Sequence, residues 1–175
     1  VEELSRIGVT HAIRIGSCGA LQKNIHLGDL ILVQGAVRDE GTSKTYIDSI
    51  YPAIPDYELF SACVEAARKE RIPFHVGLGR SHDSFYTDRE DEIDALWASK
   101  DVLGADMETA ALYVIGRLRG VHTASILNTV VEYEENLEEN INHYTDGASR
   151  MMQGEWNEIH TALEALYMVS QADDR

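Results

Sequence analysis

The chain has 175 residues, 44% of them hydrophobic, and 30 Asp and Glu against 15 Lys and Arg leave a net charge of −15. That balance excludes nucleic-acid polymers and anionic membrane surfaces as natural partners, because both reward basic patches; a small anion held locally is still allowed. No apolar run approaches the roughly 20 residues of a membrane-spanning helix and no signal-peptide pattern opens the chain.

The length suits one domain with a sizeable core, and only three prolines and no low-complexity run argue against disorder. Two cysteines, Cys18 and Cys63, make no disulfide framework, so a reduced, cytoplasmic setting is expected. No CxxC or HExxH pattern is present and the seven histidines are scattered, so no metal is expected.

The chain opens on Val1, and Leu4 and Ile7 before Gly8 read as the end of a helix feeding a strand. Strands are expected at His11–Ile15, Asp29–Gly35, Phe74–Gly79 and Val121–Asn128, each rich in Val, Ile or Leu. Arg38 to Pro55 reads as a long irregular connection, and such loops are often functional. Tyr57 to Arg71 is helical in pattern, with Asp56 as N-cap and Pro73 just past the end. The acidic runs Asp88–Asp94 and Glu132–Glu139 read as solvated faces or loops. Met107, Ala110, Ala111, Val114, Ile115 and Leu118 recur at helical spacing, closed by Gly120. Near the end, Met152, Trp156, Ile159, Leu163 and Leu166 alternate steps of four and three, a helix that needs a core to lie on. Strands separated by helices indicate a layered α/β domain, with no repeat or linker to divide residues 1–175.

The most informative segment is Ile13 to Ile25, where a strand carrying Arg14 meets Gly16, Ser17, Cys18 and Gly19. An arginine is seldom buried without a partner, and its planar fork suits phosphate oxygens. Small residues at a strand end let backbone N–H groups approach an anion, and Ser17 adds a hydroxyl. On the residues alone, an oxyanion site and a tight turn beside a structural arginine are both open.

Arg14-Ile-Gly-Ser17-Cys18-Gly19-Ala with Gln22 to Asp29, Asp83-Ser-Phe85-Tyr86, Asp106-Met107-Glu108-Thr-Ala-Ala, and Ile126-Leu-Asn128-Thr129 together resemble the nucleoside phosphorylase family, of the uridine and hexameric purine type. The resemblance runs from about Leu4 to Thr129. It implies a central mixed sheet flanked by helices, with an N-terminal part of the fold missing from this chain, because family members carry further strands and phosphate-holding arginines upstream. It also implies phosphorolysis without a cofactor, phosphate being the co-substrate. Nucleoside and phosphate would be the ligands, and subunits would pair into dimers that build a hexamer. By the same resemblance Arg14 and Ser17 hold phosphate, Glu108 accepts the ribose hydroxyls with Met107 beneath the sugar, and Cys18, Gly19, Phe85, Arg89, Asn128 and Thr129 address the base.

Two departures bear on the base. Purine enzymes of the family, and the hydrolytic methylthioadenosine nucleosidases, carry an Asp where this chain has Thr129. Uridine enzymes carry an Arg there and a Gln and an Arg after Phe-Tyr, for which Arg89 is the candidate here. Leu127-Asn128 tips the expectation toward a pyrimidine nucleoside, with a purine nucleoside phosphorylase as runner-up. The rival of another class is a non-catalytic nucleoside or phosphate binder, separated from the enzyme by phosphate-dependent release of free base.

Overall fold

The computed structural model describes residues 1–133 and 144–173. Five strands, β1 (His11–Ala20), β2 (Leu30–Asp39), β3 (Phe74–His82), β4 (Val102–Asp106) and β5 (His122–Val131), close into a barrel in the order β1-β4-β3-β2-β5. The sheet is mixed: β1/β5, β2/β3 and β3/β4 are parallel, while β1/β4 and β2/β5 are antiparallel. Helices α1 (Glu2–Arg6), α2 (Tyr57–Lys69), α3 (Glu90–Ala98), α4 (Thr109–Leu118) and α5 (Tyr144–Asp173) flank it. This is the central mixed sheet with helices that was expected.

Four local expectations are corrected. β1 does not stop at Ile15 but continues through the glycine motif to Ala20, because β5 pairs it residue by residue from His11↔His122 to Cys18↔Thr129. The tight-turn reading of that motif therefore fails. β4 and α3 were not foreseen: β4 is five residues long, and α3 buries none of its residues, so the acidic run is the solvated face of a helix. Helix α4 begins at Thr109 rather than Met107, because the Asp106 carboxylate accepts the Thr109 N–H at 3.0 Å and closes the turn between them.

The fourth correction concerns α5. Only part of its apolar stripe faces the sheet: Met152, Trp156 and Leu163 are 61, 67 and 64% exposed, while Ile159 is half-buried and Leu166 packs against the core. The buried face carries Gly154, Glu158, Thr161, Ala162 and Ala165 instead. Small residues are required there because α5 lies close to its supports. Ala162 and Ala165 pack with Leu59, Cys63, Ala66 and Ala67 of α2 and with Leu30, Leu32, Ala124 and Ile126 of the sheet. A second core joins Cys18, Ile31, Val33 and Leu127 to Ala110, Tyr113 and Val114 of α4. Helix α2 starts where expected, with the Asp56 carboxylate accepting the Leu59 N–H at 3.0 Å.

The connection after β2 is held by the buried Glu40, whose carboxylate accepts the Ser43 N–H and hydroxyl, and above all by Arg38. The Arg38 guanidinium donates to the Ser43 hydroxyl and to the carbonyls of Ile47, Asp48 and Tyr51, at 2.5–3.0 Å. That loop carries Tyr46 toward the cleft described below.

Asn128 pins the N-terminal half of α5, its amide donating to the Met151 carbonyl at 2.9 Å. A Cβ at Gly154 would overlap Asn128 Oδ1 and come within 2.8 Å of Gly28 Cα. Replacing Gly by Ala in a helix gains about 1 kcal/mol of propensity, whereas overpacking a tight contact costs about 1–3 kcal/mol. Gly154→Ala should thus lower stability by about 1–2 kcal/mol in urea denaturation. An unchanged or raised midpoint would show that α5 does not seat this closely.

Candidate active site

An arginine in the middle of a strand must find counter-charge, and Arg14 finds two carboxylates. Its Nε lies 3.6 Å from Asp106 Oδ2, at the end of β4, and its Nη2 pairs with Glu108, just before α4. Asp106 is buried and saturated with donors: Ser81 donates to Oδ1 at 2.6 Å, and the Thr109 amide and hydroxyl donate to Oδ2. The Thr109 hydroxyl also meets that of Ser125 at 2.8 Å, and Ser81 Oγ accepts the Ala110 N–H at 2.9 Å. One buried network therefore ties β1, β3, β4, β5 and the start of α4 together.

The third nitrogen decides what the site can do. Arg14 Nη1 is buried and has no hydrogen-bond partner among the described residues. A buried donor left unmade costs about 1–3 kcal/mol, and more when charged, so it calls for an acceptor. An anionic oxygen supplies one with the right charge. Gly16 makes room for this nitrogen, since a Cβ there would collide with it.

Beside Arg14 lies an open cleft of about 470 Å³, walled by Ala111, Leu112 and Ile115 of α4 and by Tyr46, with Glu108 at its edge. The Glu108 side chain is 60% exposed, so its carboxylate reaches solvent and a ligand as well as Arg14. A guanidinium short of one acceptor, a carboxylate and an apolar wall can hold an oxyanion beside a hydroxyl-bearing, partly apolar molecule.

The other expected site residues are distributed as follows. Met107 is half-buried beside Glu108. Ser17 is exposed; β1 keeps regular register with β5 from His11 to Cys18, so Ser17 and Arg14, three residues apart, point to opposite faces. Cys18, whose thiol burial pushes up to about 12, contacts the fully buried Thr129 with sulfur and hydroxyl 4.0 Å apart. Gly19 is half-buried at the bulge that follows Cys18. Asn128 is buried beneath α5. Phe85 lies 71% exposed on the loop after β3, edge-on to Tyr86. Arg89, exposed at the start of α3, pairs with Glu92 at 2.8 Å. The structure thus joins Arg14 to Glu108 in one cleft and sets Phe85 and Arg89 outside its lining. Among the described residues no group of three or more His, Cys, Asp or Glu is placed to hold a metal.

The phosphorylase superfamily model matches residues 1–153. The chain belongs to the phosphorylase superfamily. Within it, a guanosine phosphorylase of Halorubrum lacusprofundi is 40% identical over 126 residues, 72% of this chain and 52% of that protein. A uridine phosphorylase of Thermococcus kodakarensis is 37% identical over 139 residues, 72% of this chain and 50% of that protein. The crystal structure of a uridine phosphorylase from Vibrio fischeri superposes with a TM-score of 0.88 at 49% identity, covering 95% of this chain and 67% of that one. The chain spans about half the length of these two curated relatives.

Sequence reasoning missed two residues of this phosphorylase-superfamily site. Asp106 stood inside a quoted motif without a role, and its signal was its position beside Glu108 at the end of a strand. Glu158 accepts the Gly16 N–H at 3.0 Å from 142 positions away, and no local pattern announces it. Removing a partner from a buried ion pair is strongly destabilising, by about 3–5 kcal/mol. Asp106→Ala should lose about that much stability in denaturant titration, and Asp106→Asn clearly less, since the amide oxygen still accepts from Thr109. Equal losses would show that the charge facing Arg14 accounts for the whole effect and the Thr109 hydrogen bonds for none of it.

Proposed function

We propose that the protein is a nucleoside phosphorylase acting on uridine or a related pyrimidine nucleoside, releasing free base and ribose 1-phosphate. The observation that carries this reading is Arg14, with its buried, unpartnered Nη1, paired to Glu108 at the edge of one cleft. Family membership and the names of its relatives support the same chemistry.

In the reaction a phosphate oxygen forms a bond to C1′ while the C1′–N bond breaks and its electron pair leaves with the base, which takes up a proton. The sugar passes through an oxocarbenium-like state, as in glycosyl transfer generally. Arg14 holds the anion close to C1′. Glu108 fixes the ribose hydroxyls, and Met107 packs against the sugar. Cys18, Gly19, Phe85, Arg89, Asn128 and Thr129, none of which lines the Arg14 cleft, are assigned to the base by the family resemblance alone. The reaction uses no cofactor, only phosphate as co-substrate.

Thr129 supports the pyrimidine choice: its hydroxyl is no proton donor for a purine N7, and it lies buried against Cys18. A positioned general acid typically contributes about 10²–10⁴-fold, so lacking one there penalises purines. The guanosine phosphorylase relative is the observation that favours the second reading, a purine nucleoside phosphorylase. We place the protein in the cytoplasm as a homo-oligomer built from dimers; both cysteines are unpaired, no described helix is long and apolar enough to cross a membrane, and the exposed stripe of α5 offers apolar surface for assembly.

A nucleoside panel assayed with and without phosphate tests this. Uridine should be cleaved faster than inosine, and only with phosphate present; a tenfold preference for inosine would support the purine reading instead. Arg14→Ala should lose about 2–4 kcal/mol of transition-state stabilisation, mainly through weaker use of phosphate. Glu108→Gln should lose about 1.5–3 kcal/mol and slow ribonucleosides more than 2′-deoxynucleosides. Full activity in either variant removes that residue from the site.

A further inference from the structure

We propose that Glu158 of α5 is a positioning residue that ties anion binding at Arg14 to proton uptake: protonated it lets the guanidinium keep its charge for the anion, and ionised it opposes the anion. The proposal rests on the reading of Arg14 as a phosphate site.

Its basis is geometric. β4 reaches β1 only at Gly19 and Ala20, so upstream of Gly19 one edge of β1 has no strand beside it among the described residues. The Gly16 N–H, between Arg14 and Ser17, is satisfied by Glu158 Oε2 at 3.0 Å. Glu158 is 5% exposed, and no arginine or lysine pairs with it among the described residues. A carboxyl group buried without a cation in direct contact stays neutral more readily than one held in an ion pair. Burial accordingly pushes its pKa up to about 7, with Glu155 adding to the rise while the Gly16 and Asn128 amides and Arg14 hold it back.

The neighbours leave few other groups to answer for such behaviour. On β1 they are Arg14 and Cys18, and Cys18 does not titrate near neutrality. On α5 itself Glu155 is the nearest acid. From α2, Lys69 is turned to Glu164 at 2.5 Å, further along α5, and β5 contributes the uncharged Asn128.

The direction follows from linkage. An anion on Arg14 repels an ionised Glu158 and so raises its affinity for a proton; reciprocally, the proton raises affinity for the anion. The same logic applies to folding. A carboxyl group with a raised native pKa binds a proton that the unfolded chain releases, so stability falls as pH rises from the ordinary glutamate range to about 7.

Sulfate is the probe, because its charge is constant over the range, unlike that of phosphate. Calorimetry of sulfate binding to the protein at pH 7, in buffers of different ionisation heat, should show net proton uptake. Sulfate affinity should fall about threefold to tenfold between pH 6 and pH 8. Glu158→Gln keeps an acceptor for the Gly16 amide and should show neither uptake nor that fall, with a flatter dependence of thermal stability on pH. Sulfate that binds the wild type with pH-independent affinity and no proton uptake overturns the proposal and leaves the phosphate reading standing, even if the variant fails to fold. The same uptake in Glu158→Gln also overturns it. Sulfate that binds at no pH, with phosphate equally silent, overturns the phosphate reading at Arg14 and this proposal with it.

Discussion

A guanidinium carried on a barrel strand is the constraint around which this molecule is arranged. Arg14, largely withdrawn from solvent, requires counter-charge, and the fold answers with Asp106 on the buried side and Glu108 on the open side. Both acids come from the same three-residue stretch between β4 and α4. Their placement therefore depends on how that strand meets that helix, and the meeting is itself governed by Asp106. One carboxylate closes the turn into α4, receives the hydroxyls of Ser81 and Thr109, and faces the arginine. Fold stability and site geometry are thus held by the same hydrogen bonds.

Helix α5 answers a second constraint. The upstream part of β1 has β5 on one edge only, and an amide within the anion motif needs an acceptor. A carboxylate from the C-terminal helix supplies it. To reach that amide the helix must lie close to β1, β5 and the Gly28 turn. Close approach is why its fully buried face is built from Gly154, Ala162 and Ala165, while Met152, Trp156 and Leu163 turn outward and Leu166, Met168 and Val169 pack at its margin. Packing and polar chemistry here select for the same small residues.

Much of this could be read from the residues in order. Val-, Ile- and Leu-rich runs marked four of the five strands, the period from Met107 to Leu118 marked α4, and Asp56 marked the start of α2. Each is a local signal, carried by side chains within a turn or two of one another. Arg14 was nominated as functional because a charged fork in an apolar strand is unusual, whereas Glu108, an ordinary residue type at a helix start, was nominated through the family resemblance.

What the residues by themselves determined was the layered α/β class, the strongly acidic character, the family resemblance and, with it, the two charged groups. What only the tertiary structure decided was which groups meet. The glycine motif proved to be strand because β5 pairs with it, 111 residues away from Cys18 to Thr129. Glu158 became part of the site because α5 folds back onto β1, and Asp106 became its anchor because β1, β3 and β5 converge there. Such pairings depend on long-range register and closure of the barrel, for which periodicity along the chain carries no signal.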